Sequence, residues 1–176
     1  MKKIYCDISK CLGCRSCELA CAVEHSKTKI LERAIYETPL PEKRVSVEQL
    51  SLPSTFYLLP STVPLQCRHC EDAPCVKICP TKSMEKMENG IVLHHDETCI
   101  GCKWCIIVCP FGIPKTNKAG KTIIKCDLCI ERLKNNESPI CVSACPTKAL
   151  KFKEAEEIAQ EKKKKFLVEF VFSTKL

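Results

Sequence analysis

Large aromatic side chains are scarce in this chain: one tryptophan, Trp104, three tyrosines and six phenylalanines in 176 residues. A core of this size would ordinarily use more of them, so something else must fill the interior. No stretch approaches the ~20 apolar residues of a membrane-spanning helix. The longest apolar candidate, Phe166 to Phe172, is of strand length and is interrupted by Glu169. The opening Met1-Lys2-Lys3-Ile4-Tyr5-Cys6-Asp7 is positively charged but has no apolar segment or small-residue cleavage site behind it, so no secretory signal is read there. No general base, nucleophile or substrate pocket is visible either. Those absences predict a soluble, cytoplasmic protein that is not itself a catalyst, built as one ordinary domain or two small ones.

What the chain does have is cysteine, seventeen residues of it. In a short secreted protein such a proportion marks a disulfide scaffold, but in a reducing cytosol it marks metal ligands. Sixteen fall into four groups: Cys11-x2-Cys14-x2-Cys17-x3-Cys21, Cys67-x2-Cys70-x4-Cys75-x3-Cys79, Cys99-x2-Cys102-x2-Cys105-x3-Cys109 and Cys126-x2-Cys129-x11-Cys141-x3-Cys145. The first and third have the spacing of the bacterial ferredoxin run, and the last three end in the proline of that run (Pro80, Pro110, Pro146). Cys21 is followed instead by Ala22, which leaves a helix free to continue.

The spacing has a physical reason. Three thiols on one tight loop leave backbone N–H groups turned inward, a concave donor array suited to an anionic cluster. The fourth cysteine follows the third by four residues, on the same face of a helical turn. The loop that wraps one cluster leaves it no room there, and in two-cluster ferredoxins it ligates the neighbouring cluster. Disulfides fit poorly, because cysteines two residues apart in a tight loop pair badly. Zinc is the stronger alternative, since paired Cys-x2-Cys also builds zinc ribbons and the fourth group alone could supply a site. The triplets leave a third close cysteine without a role on zinc. Four groups of four therefore imply four [4Fe–4S] clusters, whose bulk fills the interior and whose binding is coupled to folding. The formal charge of +7 counts cysteine as neutral. Four loaded sites at about −2 each subtract about 8, leaving about −1. The basic side chains then compensate cluster charge, and nucleic-acid binding loses its electrostatic support.

Along the chain, residues 2–7 read as a strand and 17–36 as a helical run. Residues 39–64 contain five prolines and no cysteine, with possible strands at 45–50 and 55–59. Asn89-Gly90 between short apolar runs predicts a hairpin. Residues 131–136 suggest a helical turn, 149–153 a strand, 154–165 a charged helix and 166–172 a final strand. Cys-Pro-Thr-Lys recurs at 79–82 and 145–148, as expected of two copies of a two-cluster module. Cys6 reads as a structural thiol. His69, between Cys67 and Cys70, is a surface residue or one that tunes potential by hydrogen bonding, since a Rieske centre would need two paired His–Cys motifs. His25, His94 and His95 have no ligand spacing, Trp104 is expected over a cluster, and the basic run 162–165 is expected on a solvated helix face.

In this order, the four groups resemble the four-cluster, ferredoxin-like electron-transfer subunits of the dimethyl sulfoxide reductase iron–sulfur subunit type. Members of that family also serve formate dehydrogenases, formate hydrogenlyase-type hydrogenases, tungsten aldehyde oxidoreductases and CO dehydrogenase. The resemblance spans residues 3–152. Cys11-Leu12-Gly13-Cys14-Arg15-Ser16-Cys17-Glu18-Leu19-Ala20-Cys21 and Gln66-Cys67-Arg68-His69-Cys70-Glu71-Asp72-Ala73-Pro74-Cys75 look closest to its CO dehydrogenase-associated branch. The resemblance implies an α+β fold of two interleaved two-cluster modules. The outer module takes residues 1–38 and 119–153 and the inner one 66–118; the residue pattern described above adds an inserted hairpin at 39–65 and a helix–strand extension at 154–176. It implies that Cys11, Cys14, Cys17 and Cys145 hold one cluster, and Cys126, Cys129, Cys141 and Cys21 a second. Cys67, Cys70, Cys75 and Cys109 would hold a third, and Cys99, Cys102, Cys105 and Cys79 a fourth. Some relatives replace a third-group cysteine with tryptophan and carry a [3Fe–4S] cluster; Trp104 lies between Cys102 and Cys105 and replaces neither. Lys82 and Lys148 stand where the family often has glycine.

The function implied is relay of single electrons between a catalytic oxidoreductase, CO dehydrogenase in the first instance, and a second partner such as a hydrogenase. The alternatives are service to a tungsten or molybdenum aldehyde or formate oxidoreductase, or an accessory role in maturing a hydrogenase or formate enzyme. The apolar tail is expected to add a strand to the chain's own sheet, or else to drive docking or self-association.

Overall fold

The structure, a computed structural model, describes residues 1–49 and 62–173. Strand β1 (Lys3–Cys6) leads through a 3-10 turn into the first cysteine loop. Helix α1 (Ser16–Glu24) then runs past Cys21, as Ala22 permits. It stops well short of residue 36, where the sequence placed its end. Ser26 Oγ donates to the Val23 carbonyl and accepts the Lys29 N–H, while the Glu37 carboxylate accepts the N–H groups of Lys27 and Thr28. Side chains thus take the backbone groups a helix would have used, and only one turn re-forms, α2 (Leu31–Ala34).

Strands β2 (Ser46–Gln49) and β3 (Thr62–Leu65) pair antiparallel, with Ser46 opposite Leu65. The expected strand at 55–59 lies outside the described residues, as does Leu50; the observed partner of β2 is the later segment ending at Leu65. The hairpin is pinned by Glu18 of α1, whose buried carboxylate accepts the Val47 N–H at 2.6 Å and pairs with Lys43 at 2.6 Å. Helix α3 (Pro74–Ile78) precedes β4 (Met84–Lys86) and β5 (Val92–His94), an antiparallel pair. Their turn uses Gly90 at φ +82°, with the Asn89 side chain accepting the Ile91 N–H. After α4 (Trp104–Ile107) come the paired β6 (Lys115–Thr116) and β7 (Ile123–Ile124), then α5 (Ile130–Lys134) and α6 (Ile140–Ser143). Strand β8 (Leu150–Lys153) returns to β1, with Cys6 opposite Leu150. Among the described residues the fold is α+β: four separate two-stranded antiparallel sheets interleaved with short helices, followed by a longer C-terminal helix.

The larger core joins Ile4, Val45, Val47, Ile91, Leu128 and Leu150 with Cys17, Cys21 and Cys141; the smaller joins Met84 and Ile123 with Cys105. No aromatic side chain is among the buried apolar residues described. Cysteine occupies the places the missing aromatics would have held.

The C-terminal extension corrects the expectation of a helix followed by a strand. Helix α7 (Ala155–Ser173) is continuous over 19 residues. Phe166 and Phe170, four apart, stack with ring centroids 6.0 Å apart, and Lys165 pairs with Glu169 at 3.8 Å. With no glycine or proline to stop it, an established helix extends one bond at a time, and these i,i+4 contacts outweigh the strand preference of the Phe and Val residues. The first half of α7 is moored to the β1–β8 sheet: Glu161 pairs with Lys151 at 2.8 Å and with Lys153, and the Lys162 ammonium lies 4.8 Å from the Tyr5 ring centroid. Phe166, Leu167 and Val168 beyond it are exposed. No described helix is long and apolar enough to cross a membrane.

Candidate metal centres

Each cysteine group is laid on the chain in the same way. Its first cysteines sit on a loop in which one or two residues take the left-handed conformation: Gly13 and Arg15, His69, Gly101 and Lys103, and Leu128 with Cys129. That conformation reverses the chain tightly enough to wrap an object and aim N–H groups inward. His69 N–H reaches Cys67 Sγ at 3.5 Å and Leu128 N–H reaches Cys126 Sγ at 3.4 Å. The third cysteine then lies within a helix (Cys17, Cys75, Cys105, Cys141). The fourth lies one turn on, inside the longer α1 for Cys21, and at or just after the helix end for Cys79, Cys109 and Cys145.

Folding brings the groups together in pairs. One cleft is lined by Cys11, Cys14 and Cys17 together with Cys145 from the far end of the chain. A second is lined by Cys99, Cys102 and Cys105 with Cys79, and a third by Cys67, Cys70 and Cys75 with Cys109. Three clefts, each lined by four thiols, suit one kind of four-ligand guest. The remaining four are linked through charge: Cys141 with Cys129, Cys21 and Cys126, and Cys129 with Cys21. Burial, and then the neighbouring Cys129 and Cys21, push the Cys141 thiol far above its usual range, and burial, then Cys141, act likewise on Cys126. Burial also lifts Cys129 to about 12 and Cys17 and Cys105 to about 11. Thiols crowded this deeply ionise only if a cation joins them, which is the condition an iron centre fulfils.

Other donors converge on the sulfurs. Cys79 Sγ lies 3.2 Å from Ser83 Oγ and 3.8 Å from Thr81 Oγ1, and Cys145 Sγ lies 3.7 Å from Thr147 Oγ1, so the recurring Cys-Pro-Thr gives both fourth cysteines a hydroxyl neighbour. Burial alone would raise the Cys79 thiol, but these hydrogen bonds prevail and bring it to about 7. Cys21 Sγ accepts the Arg44 N–H at 3.2 Å and lies 3.7 Å from His25 Nδ1. His25 donates through Nε2 to Asp127 at 3.1 Å, and Asp127 pairs with Arg44 at 2.6 Å. Burial opposes the imidazolium, yet its bonds to Asp127 and Cys21 lift it to about 9.

The lesser residues divide. His69 is not a surface residue: it is only 2 % exposed, and its Nδ1 accepts the Val92 N–H at 3.0 Å. Burial, then the charge of Lys125, pull it down to about 3, so the ring is neutral. His25 has no ligand spacing in sequence, yet folding places its ring within 4.8 Å of the donor atoms of Asp127 and Cys129. Trp104 lines the Cys99–Cys105 cavity as expected but is 52 % exposed. Cys6 stays off the cavities; burial first, then Cys11 and Cys145, raise it to about 11, as suits a structural thiol. Lys82 and Lys148 adopt φ of +54° and +53°, the conformation that favours glycine. Sequence reasoning missed Lys125, buried to 4 % exposure against Cys126. Its signal was a lone charge continuing the apolar Ile123-Ile124 into Cys126.

Known proteins agree with this reading. Residues 60–155 match the 4Fe-4S dicluster domain family. The chain is 36% identical over 156 residues to the B subunit of anaerobic dimethyl sulfoxide reductase from Escherichia coli (strain K12), covering 88% of this chain and 74% of that one. It is 38% identical over 152 residues to the thiosulfate reductase electron transfer subunit of Salmonella typhi, covering 86% and 74%. The nitrate-inducible formate dehydrogenase iron-sulfur subunit of E. coli (strain K12) is 36% identical over 165 residues, covering 89% of this chain and 56% of that one. With its cysteine groups and relatives of this kind, the chain belongs to the family of iron–sulfur electron-transfer subunits typified by the B subunit of dimethyl sulfoxide reductase, a non-catalytic component carrying four [4Fe–4S] clusters.

Proposed function

We propose that this chain relays single electrons between the catalytic subunit of a molybdenum or tungsten pterin oxidoreductase and a second redox partner. The observation that carries the reading is the composition of the cavities, each pairing three cysteines of one group with the fourth of another. We assign ligands accordingly: Cys11, Cys14, Cys17 and Cys145; Cys126, Cys129, Cys141 and Cys21; Cys67, Cys70, Cys75 and Cys109; Cys99, Cys102, Cys105 and Cys79. A helix that gives its third cysteine to one set and its fourth to another joins neighbouring centres through about one helical turn of backbone. Bound clusters supply the one-electron chemistry; the protein fixes their separation, excludes water and supplies hydrogen bonds to the sulfurs. The same pairing supports an outer module (1–38 and 119–153) enclosing an inner one (66–118).

Only Cys14 and Cys102 are exposed, and they belong to different sets. Each has exposed apolar neighbours, Leu12 at 73 % beside the first and Ile100 with Trp104 beside the second. These are the two ends at which partners would exchange electrons. The relatives are subunits of dimethyl sulfoxide reductase, thiosulfate reductase and formate dehydrogenase. They favour a catalytic partner of that kind over the CO dehydrogenase suggested by the local motifs.

Anaerobic purification of the tagged chain with its partner tests the assignment. Molybdenum or tungsten co-eluting with iron and acid-labile sulfide is the expected result; nickel in their place would return the chain to CO dehydrogenase or hydrogenase service. Within the chain, Cys79→Ser is expected to alter the same cluster signal as Cys102→Ser. An effect shared with Cys75→Ser instead would overturn the crossed ligand sets.

A further inference from the structure

The side chain of Lys125 is buried, and its ammonium donates to two backbone carbonyls, that of Val92 on β5 and that of Cys126 at 2.8 Å. Among the described residues no carboxylate lies within ion-pair distance of it. A buried ammonium held only by carbonyls is costly unless negative charge stands nearby. The structure shows where that charge would be. Lys125 lines the cavity of Cys67, Cys70, Cys75 and Cys109. It also directly precedes Cys126 of the set containing Cys129, Cys141 and Cys21. Through the backbone of Val92 it is tied to His69 on the second cysteine loop, because the Val92 N–H donates to His69 Nδ1 while the Val92 carbonyl accepts from Lys125. The cation therefore stands at the seam between the inner and outer groups and touches both sides.

We propose that Lys125 is a positioning residue for the electron step between the two modules: a fixed positive charge shared by the centre of Cys67, Cys70, Cys75 and Cys109 and the centre of Cys126, Cys129, Cys141 and Cys21, which holds both at higher potential than they would have without it. The proposal rests on the ligand sets assigned above. Net charge around a cluster helps set its potential, and reduction adds a negative charge that a neighbouring cation stabilises. A desolvated cation is little screened, and because its interaction falls with distance it acts most on the nearest two centres and less on those holding Cys14 and Cys102. Its tether to both carbonyls also fixes the inner hairpin against the fourth cysteine group.

The test is an anaerobic redox titration of the loaded protein, followed by electron paramagnetic resonance, for wild type, Lys125→Met, Lys125→Gln and Lys125→Arg, with iron and sulfide measured on each sample. In the Met and Gln variants two of the four midpoint potentials are expected to fall while two stay in place; in the Arg variant all four stay near wild type. Unmoved potentials in a fully loaded Gln variant would overturn the proposal, as would an equal shift of all four. If the Met variant loads poorly, the Gln variant, which keeps a donor, decides alone. A wild-type protein lacking four cluster signals would sink the ligand sets themselves, a failure distinct from any result for the Lys125 variants.

Discussion

Gly101 lies between Cys99 and Cys102 at φ +68°, and a Cβ placed there would sit 2.4 Å from the Lys121 carbonyl oxygen. That oxygen belongs to the backbone of the turn between β6 and β7, so no rotamer can move it aside. Gly101→Ala therefore carries two costs. The left-handed conformation costs an alanine about 1 kcal/mol, and the overlap adds roughly 1–3 kcal/mol, the range of an overpacked site. Gly112 provides the control, because its φ is +60° and nothing lies within 4 Å of its Cβ position. Gly112→Ala should lose only the conformational part, about 1 kcal/mol. For a chain of this size 1 kcal/mol shifts the midpoint by about 2–4 °C, so the control should fall by about that much and Gly101→Ala by roughly 4–16 °C. Anaerobic thermal bleaching of the cluster absorbance reads both, and the Gly101 variant should lose first the signal of the cluster that Cys102→Ser also removes. Equal loss in the two variants would refute the close approach of this loop to the 117–122 turn.

Further outcomes follow from the same geometry. Lys82→Gly and Lys148→Gly should be neutral or stabilising by up to about 1 kcal/mol, and the valine variants destabilising by about 1–2 kcal/mol, because the native φ is left-handed; chemical denaturation of loaded protein would reveal a reversed order. Chelation of iron under reducing conditions should abolish circular dichroism in step with cluster loss, since thiols supply much of the core; retained helicity after full iron loss would contradict this. Glu161→Gln should loosen the first half of α7 from the β1–β8 sheet, read as faster amide exchange across the helix with unchanged iron content. Deleting residues 166–176 should also leave iron content unchanged, because the described part of that segment lines no cysteine cavity; size-exclusion of the same protein reports whether the exposed apolar end associates with a second copy.

Ligand chemistry made the centres legible in advance. A loop must place three sulfurs around one cluster, so its spacing is narrow and visible in any order of residues, and the hairpin at Asn89-Gly90 was legible for an equally local reason. The break of α1 at His25 was not, because it arises from Glu37 reaching back to Lys27 and Thr28. The helical state of residues 166–172 was hidden by a composition of Phe, Val and Leu that suits a strand equally well. His25 meets Asp127 across 102 positions, and Lys125 meets Val92 across 33. Neither partner leaves a trace in local pattern, and both belong to the charge balance around the sulfurs.

The nesting of β1 against β8 also bears on the order of events during synthesis. Cys11, Cys14 and Cys17 leave the ribosome early, yet their cavity is closed by Cys145, beyond most of the chain. The cavities joining Cys67 through Cys75 to Cys109 and Cys79 to Cys99 through Cys105 are complete once residue 109 has emerged. A nascent chain can thus receive metal at its middle while its first thiols still wait, open to oxidation or to the wrong ion. Protection of those early thiols until translation ends is the task this topology hands to the cell.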